Sequence, residues 1–240
     1  MVTGAASGIG RTTTLFLSEM GAKVLLVDIN EENLKKVQAE CQGETDILML
    51  DLTDANAIKG AVMDKVATFG KLNGFVHCAG LPYIAPLKVV NPEKTEKLYK
   101  LNTYAAIELA KVCSSKQIYA GEAGSFVLIS SVYGIVGSAA NVGYAMSKGA
   151  IIAITKSMAM ELVGNGIRVN CVAPGFIKTP MSNKVDYMMD ENYDERLNAL
   201  HPMGLGQTED IANAIIFLFS DMSKWMTGAV LNVDGGFTAQ

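Results

Sequence analysis

The expected fold follows from two stretches near the start of the chain. These are the glycine-rich Thr3-Gly4-Ala-Ala-Ser-Gly8-Ile-Gly10 and the apolar run Lys23-Val-Leu-Leu-Val-Asp28. Glycines at these spacings permit a tight turn and a close approach of the backbone to a pyrophosphate. A helix that begins near Ile9 would then offer its unpaired N–H groups to that charge. The stretch therefore predicts a strand, a phosphate-binding turn, a helix and a second strand.

Short apolar runs alternate with amphipathic segments along the rest of the chain. The runs are mostly apolar rather than alternating, which is typical of parallel strands covered on both faces. Without a linker or low-complexity tract, residues 1–240 are predicted to form one α/β domain with a doubly wound parallel sheet and helices on both faces. The later runs are 46–50, 74–77, 125–130, 167–172 and 229–232, and helical segments include 31–41, 54–69 and 92–120.

The first strand is expected to be unusually short. Only Met1, Val2 and Thr3 precede the glycine-rich turn. A central strand of this length would anchor the sheet weakly, and whether it is truncated stays open at this level.

Composition narrows the class of protein. Of the 240 residues, 50% are hydrophobic and 18% are charged, and the net charge is −4. These values favour a large buried core over disorder and give no basic stripe for nucleic acid. No apolar run approaches the roughly 18 residues of a membrane span, and the amino terminus lacks a signal-peptide pattern.

The cysteines indicate free thiols in a reducing compartment, with the cytoplasm as the expected location. Cys41, Cys78, Cys113 and Cys171 are scattered, with no Cys-x-x-Cys, and the chain contains only two histidines. This distribution favours neither a disulfide framework nor a metal site.

Three polar residues form a candidate catalytic constellation. Ser131 lies 13 residues before Tyr144, and Lys148 lies four residues after it. If residues 143–163 are helical, Tyr144 and Lys148 share one face, and the positive charge would pull the tyrosine pKa down from about 10. Ser131, at the end of an apolar run, would hold a substrate oxygen. The bare Tyr–Lys pair is also compatible with an exposed lysine beside a half-buried tyrosine.

Asp28 indicates the cofactor. It ends the second predicted strand, 18 residues after Gly10. This is near the roughly 20-residue spacing of a carboxylate that binds the adenosine ribose. Such a carboxylate would repel a 2′-phosphate, and neighbouring Ser7, Ile29 and Asn30 supply no positive charge. NAD is therefore favoured over NADP, with a solvated strand-end acid as the alternative interpretation.

Across essentially its whole length, the chain resembles the short-chain dehydrogenase/reductase family, and most closely its 3-oxoacyl-(acyl-carrier-protein) reductase-like branch. The ordered set of motifs is far more specific than any single one. It comprises Thr3-Gly-x-x-x-Gly-x-Gly10, Asp51-Leu52, Cys78-Ala79-Gly80, Asn102, Ser131, Tyr144-x-x-x-Lys148, Pro174-Gly175-x-x-x-Thr179 and Asn232-Val-Asp-Gly-Gly236. The resemblance implies a Rossmann-type fold and hydride transfer between a nicotinamide cofactor and a carbon–oxygen bond.

The resemblance also implies individual roles. Tyr144 would be the general acid/base, Ser131 would orient the carbonyl oxygen, Lys148 would bind the nicotinamide ribose, and Asn102 would hold a water of a proton relay. A helix cap or kink is the alternative for Asn102, a helix N-cap is the alternative for Thr179, and Ser130 competes with Ser131. The implied cofactor-binding residues are Gly4, Ser7, Gly8, Ile9, Gly10, Asp28, Asp51, Leu52, Ala79, Gly80, Asn102, Tyr144, Lys148, Pro174, Gly175, Ile177 and Thr179.

The chain departs from the family at Cys78, where an asparagine usually ties neighbouring backbone segments together. A thiol is a poor replacement donor, so local order or cofactor affinity is in question rather than the chemistry. Together with the short first strand, this departure raises the alternative of a non-catalytic, dinucleotide-sensing binding protein. A nucleotide-using methyltransferase would leave Tyr144 and Lys148 without a role.

Residues 181–205 are predicted to form a lid over the substrate within the single domain. Methionines and aromatic residues suit closure over an apolar ligand, although a helix packed on the core would have the same composition. Acids outnumber Lys184 and Arg196 in this lid, which argues against an anionic carrier protein. A free secondary alcohol or ketone is therefore favoured over an NADPH-dependent 3-oxoacyl-(acyl-carrier-protein) reductase activity. By analogy with the family, a homotetramer or homodimer is expected.

Overall fold

Seven parallel strands form one sheet in the computed structural model, which describes residues 1–179 and 193–240. The apolar runs form strands because their side chains can be buried on both faces. In the second strand, Leu25 and Val27 pack into one core cluster, whereas Val24 and Leu26 pack into the other. The strands are β1 (Val2–Thr3), β2 (Val24–Asp28), β3 (Thr45–Met49), β4 (Gly74–His77), β5 (Gly124–Ile129), β6 (Ile167–Pro174) and β7 (Val230–Val233).

Helices cover both faces of the sheet, as the sequence predicts. α3, α5 and α6 supply one core cluster, and α2 and α8 supply the other, with α1 packed against α8. The helices of the described residues are α1 (Gly8–Glu19), α2 (Glu31–Glu40), α3 (Ala55–Phe69), α4 (Pro92–Tyr99), α5 (Ala105–Cys113), α6 (Val142–Leu162), α7 (Tyr193–Leu200) and α8 (Thr208–Phe219).

The strand order β3-β2-β1-β4-β5-β6-β7 confirms the doubly wound, Rossmann-type fold. The short β1 lies at its centre, where Val2 is paired with both Leu26 of β2 and Val76 of β4. The connections run outward from β1 in opposite directions. This reversal opens a crevice at the carboxyl ends of β1 and β4, which is where ligands bind in open α/β sheets.

One helical prediction is wrong at its carboxyl end. The sequence predicts a helical stretch over residues 92–120, whereas α5 ends at Cys113. The backbone of Ile118 and Ala120 instead pairs with Leu72, which has hydrogen bonds of 2.8 Å to Ile118 and 2.9 Å to Ala120. A non-local contact with the start of β4 therefore ends the helix.

The predicted lid lies only partly within the described residues. α7 covers Tyr193–Leu200, and residues 180–192 lie outside the part of the chain that the structure describes. In residues 1–179 and 193–240, no helix is both long enough and apolar enough to span a bilayer.

Candidate active site

Tyr144 and Lys148 lie one turn apart near the start of α6, as their spacing predicts. The Nζ atom of Lys148 lies 5.7 Å from the centroid of the Tyr144 ring. Lys148 is buried, with 6% of its surface exposed, and it donates a 2.8 Å hydrogen bond to the carbonyl oxygen of Ile129. Burial lowers the pKa of Lys148 to about 8, because a desolvated ammonium is less stable than a hydrated one.

Ser131 enters the same site from the end of β5. Its Oγ accepts a hydrogen bond of 3.2 Å from the backbone N–H of Tyr133, which fixes the hydroxyl at the start of a short 3-10 turn. The hydroxyl of the neighbouring Ser130 donates a hydrogen bond of 2.8 Å to the carbonyl oxygen of Lys148 and thereby connects β5 to α6. This structural use of Ser130 favours Ser131 as the substrate-facing serine.

Asn102 lies in a π-helical turn, Lys100–Tyr104, between α4 and α5. Its side chain is buried and fully used by the protein. Oδ1 accepts a hydrogen bond of 2.8 Å from the N–H of Leu81. Nδ2 donates two hydrogen bonds of 3.1 Å, one to the carbonyl oxygen of Leu81 and one to the hydroxyl of Ser147. The side chain therefore joins the loop after β4 to α6. Its role in a proton relay stays a prediction.

A cavity of about 160 Å³ opens beside these residues. Lys148 is the one charged side chain among the described residues that line it. Its wall is otherwise formed mainly by apolar and aromatic side chains, which suit an uncharged ligand. The lining includes Leu81, Pro82, Tyr83, Ile84, Ser131, Val132, Tyr133, Asn141, Tyr144, Lys148, Phe176 and His201.

A second, larger cavity of about 520 Å³ follows the crevice and holds most of the predicted cofactor residues. Its floor is the glycine-rich turn, where Gly4 and Gly8 have φ values of +66° and +54°. A β-carbon on Gly10 would lie 2.2 Å from the carbonyl oxygen of Gly4, so the helix meets the strand in near contact. The predicted residues lining this cavity are Gly4, Ser7, Gly8, Ile9, Gly10, Asp28, Asp51, Leu52, Ala79, Gly80 and Thr179.

Two carboxylates are held in place at the far end of this cavity. Asp28 accepts hydrogen bonds from the backbone N–H groups of Ala6, at 3.2 Å, and Asn30, at 3.0 Å. The hydroxyl and backbone N–H of Thr53 bond to Asp51 and hold its carboxyl pKa below the usual value. The small glycine-lined floor and the fixed Asp28 carboxylate together fit the phosphates and ribose of a dinucleotide.

The segment after β6 closes the crevice from the other side. Pro174, Gly175, Ile177 and Thr179 line the smaller cavity, and the Thr179 methyl lies where it would touch a β-carbon on Gly8 at 3.6 Å. The catalytic and cofactor residues that the sequence predicts therefore converge at one edge of the sheet.

His201 supports this segment and was not assigned a role from the sequence. It is buried, with 3% of its surface exposed. Its Nε2 accepts a hydrogen bond of 3.0 Å from the N–H of Phe176, and its Nδ1 lies 2.7 Å from the carbonyl oxygen of Leu197. One imidazole thus joins the β6 segment to α7. The sequence could not identify it, because a lone histidine far along the chain carries no motif.

His77 was also missed, and it accompanies the Cys78 departure. The imidazole bridges the Thr3 hydroxyl, at 2.9 Å, and the Leu101 carbonyl oxygen, at 3.0 Å, while Thr3 accepts 3.2 Å from the N–H of Ala79. This network links β1, β4 and the π turn, a cross-linking task like that of the family asparagine. The pKa of Cys78 is raised to about 12 by desolvation, which makes the thiol unreactive.

Comparisons with known proteins agree with this architecture. A family model described as enoyl-(acyl carrier protein) reductase matches residues 4–238. A 3-oxoacyl-(acyl-carrier-protein) reductase of Thermotoga maritima is 38% identical over 240 residues, which cover 98% of this chain and 96% of that protein. A 2,5-dichloro-2,5-cyclohexadiene-1,4-diol dehydrogenase of Sphingobium indicum is 34% identical, and the match covers 100% of this chain and 96% of that protein. The solved structure of a 4-hydroxyisoleucine dehydrogenase complexed with NADH matches with a TM-score of 0.91 and 27% identity. The match covers 100% of this chain and 98% of that protein.

Proposed function

The chain belongs to the short-chain dehydrogenase/reductase family of oxidoreductases, which bind a dinucleotide and act on CH–OH groups. On that premise, we propose that it is an NAD(H)-dependent enzyme that interconverts a free secondary alcohol and its ketone. The observation that carries the proposal is the convergence of Ser131, Tyr144 and Lys148 on one largely apolar cavity beside the dinucleotide crevice.

Each polar residue of the site has a distinct task in this reaction. Ser131 holds the substrate oxygen, and Tyr144 takes the hydroxyl proton during oxidation or returns it during reduction. The Lys148 ammonium favours the phenolate because an opposite charge stabilises the ionised form. When bound, the nicotinamide group accepts or supplies the hydride at the substrate carbon.

The charges around the crevice support NAD over NADP. The Asp28 carboxylate, held by two backbone N–H groups, accepts ribose hydroxyls and repels a 2′-phosphate. Among the described residues that line this cavity, Lys97 is the one cation, and it lies near Asp51, whose pKa it helps to lower. Arg11 is engaged by Glu40, and Lys35 and Lys36 pair with Glu31 and Glu32, so each of these exposed cations has a carboxylate beside it that weakens its attraction for a phosphate.

The small cavity supports a free substrate rather than an acyl chain on a carrier protein. Its volume of about 160 Å³ is below the typical range for drug-sized ligands, which is about 300–1,000 Å³. Lys111, the exposed cation of α5, is paired with Glu108 at 3.2 Å. These features offer little charge complementarity to an acidic carrier.

A homotetramer or homodimer is part of the same proposal. The family analogy pairs the long helices around Asn102 and Tyr144 and the carboxy-terminal strand, and large apolar side chains are exposed beside these elements. Tyr104, Val142 and Met146 are 53%, 50% and 48% exposed beside the site helices, and Trp225 before β7 is 98% exposed. Contiguous exposed apolar residues mark interaction surfaces. Light scattering coupled to size exclusion tests this assembly, and a monomer at micromolar concentration contradicts it.

The activity is tested by following NADH absorbance with a panel of secondary alcohols and ketones. Tyr144→Phe removes the acid/base hydroxyl and should reduce kcat by about 10²–10⁴-fold. Tyr99→Phe removes a hydroxyl from a tyrosine that lines neither cavity and serves as the matched control. If Tyr144→Phe retains most of the turnover, the assigned mechanism is wrong. Tight NADH binding without turnover of any panel member would instead support the dinucleotide-sensing alternative raised by Cys78.

A further inference from the structure

Asn141 is a buried polar residue of the substrate cavity that the reaction described above does not use. It lies three residues before Tyr144, lines the same cavity as Ser131, and is 5% exposed. It occupies the N-cap position of α6, where asparagine normally accepts a hydrogen bond from a backbone N–H of the first turn. Its side chain makes no such bond, nor any other to the residues that the structure describes.

The backbone before Asn141 adopts a conformation that costs energy. Ala140 has a φ of +61°, a left-handed conformation that is unfavourable for a residue with a β-carbon. The Ala140 carbonyl oxygen accepts a 2.8 Å hydrogen bond from the N–H of Ala85, which holds the turn against the loop after β4. Strain of this kind persists where the surroundings impose it, and Asn141, which follows directly, lines the cavity.

The cavity wall next to Asn141 is firmly packed. A β-carbon on Gly143 would lie 3.0 Å from Cδ1 of Tyr83, so the start of α6 is in close contact with the aromatic wall. The Asn141 amide is not among the sealed, unpartnered polar atoms of the described residues, so it keeps access to the cavity, where a ligand oxygen can supply the hydrogen bond that the protein does not.

On the basis of the proposed function, we propose that Asn141 is a specificity-determining residue that hydrogen-bonds a second, uncharged oxygen of the substrate. The preferred substrate is then a diol, and its product is the corresponding hydroxyketone. One carbinol loses its hydride to NAD⁺ and its hydroxyl proton to Tyr144, while the second hydroxyl stays bound at Asn141 and is chemically unchanged.

The chemistry of the amide favours a hydroxyl over a carboxylate as this second group. An asparagine side chain both accepts and donates, as a hydroxyl does, so the two groups satisfy each other. A carboxylate would call for a cation. The one charged side chain among the described residues of this cavity is Lys148, whose ammonium already donates to Ile129 beside the reacting centre.

The inference is tested with NAD⁺ and matched pairs of substrates that differ only in the second hydroxyl. Cyclohexanol is compared with 1,2-, 1,3- and 1,4-cyclohexanediol, and kcat/KM is measured for each. For the wild type we expect the best diol to exceed cyclohexanol by about tenfold or more per reactive hydroxyl. Asn141→Leu, which keeps the side-chain size, should bring this ratio close to one, chiefly through a higher KM for the diol.

Two further variants keep the result interpretable. Asn56→Leu makes the same change at an exposed position on α3, outside the cavities, and should preserve the ratio of diol to cyclohexanol. Asn141→Ala repeats the test if Asn141→Leu fails to fold, as judged by circular dichroism. A wild-type ratio near one, or a ratio that survives both Asn141 variants, overturns the inference while leaving the alcohol/ketone activity intact. No turnover of any alcohol or diol would overturn the proposed function itself and this inference with it.

Discussion

The Nζ atom of Lys148 donates a 2.8 Å hydrogen bond to the carbonyl oxygen of Ile129, two residues before Ser131. Ser130, between them in the chain, returns a hydrogen bond to the carbonyl oxygen of Lys148 at 2.8 Å. These reciprocal contacts fix the start of α6 to the end of β5. The spacing between the serine and the tyrosine of the site is therefore set by two buried hydrogen bonds as well as by chain length.

Replacing Lys148 should affect both cofactor binding and turnover. Lys148→Met keeps the long stem but removes the ammonium, so the phenolate loses its neighbouring charge and the Ile129 carbonyl oxygen loses its donor. We expect kcat to fall by about 10²–10⁴-fold and the Kd for NADH to rise. Stopped-flow turnover and NADH fluorescence titration measure the two effects. Lys156→Met, at an exposed position two turns further along α6, is the control and should change neither quantity.

Asp28 should control the choice between the two dinucleotides. Removing the negative charge with Asp28→Asn keeps the side-chain shape and the oxygen that accepts from Ala6, although the bond from the N–H of Asn30 is given up. We expect the ratio of NADPH to NADH affinity to rise by about ten- to a hundredfold, because repulsion of the 2′-phosphate is relieved. Fluorescence titrations with both cofactors give the ratio. Tighter binding of NADPH than of NADH by the wild type would refute the role assigned to Asp28.

Two glycine-to-alanine variants should move stability in opposite directions. In Gly10→Ala the new methyl would lie 2.2 Å from the Gly4 carbonyl oxygen, so α1 would have to move away from the turn. NADH affinity and the free energy of unfolding should both fall, the latter by more than about 1 kcal/mol. Gly60 lies inside α3 with nothing within 4 Å of its added methyl, and Gly60→Ala should raise stability by about 0.5–1 kcal/mol. Urea denaturation checks both, and equal effects would contradict the packing described for the turn.

The buried His77 should make stability depend on mildly acidic pH. Burial lowers its pKa from the usual 6.5 to about 4, so between these values the unfolded chain binds a proton that the folded chain does not. The contribution of the neutral His77 to the free energy of unfolding is therefore fully present above pH 6.5. It is lost as the pH falls toward 4, which lowers the free energy of unfolding by up to about 3 kcal/mol. Urea unfolding from pH 7 to 4 measures this slope. His77→Asn should flatten it, and a wild-type slope that the variant leaves unchanged would assign the loss to other groups.

The sequence was informative about the site wherever chemistry depends on short spacings. The interval from Tyr144 to Lys148 is one helical turn, and the turn from Gly4 to Gly10 needs small residues for local reasons, so both were recognised from the chain alone. Residues 177 and 206 are instead brought together by an isolated β-bridge, and His201 joins Phe176 to Leu197. Contacts of this kind depend on tertiary packing and leave no periodic pattern.

The same limit explains the two discrepancies near Asn102. The sequence predicted one helical stretch over residues 92–120, but it contained no signal for the π turn at Lys100–Tyr104 or for the pairing of Ile118 with Leu72. The surrounding sequence predicts a helix around Asn102, whereas the wide turn accompanies the tertiary contacts of Asn102 with Leu81 and Ser147. Similarly, no motif or periodic pattern distinguishes Asn141 in the sequence, because its place at the cavity depends on how the start of α6 packs.

The wide turn has a practical consequence for redesigning this enzyme. Deleting one residue between 100 and 104 would restore a regular helix and remove the local widening that places Asn102. The amide that bridges two neighbouring segments would swing away, although no functional side chain had been altered. Chimeras should therefore exchange α4, the wide turn and α5 as one indivisible cassette, with its length counted as strictly as its composition.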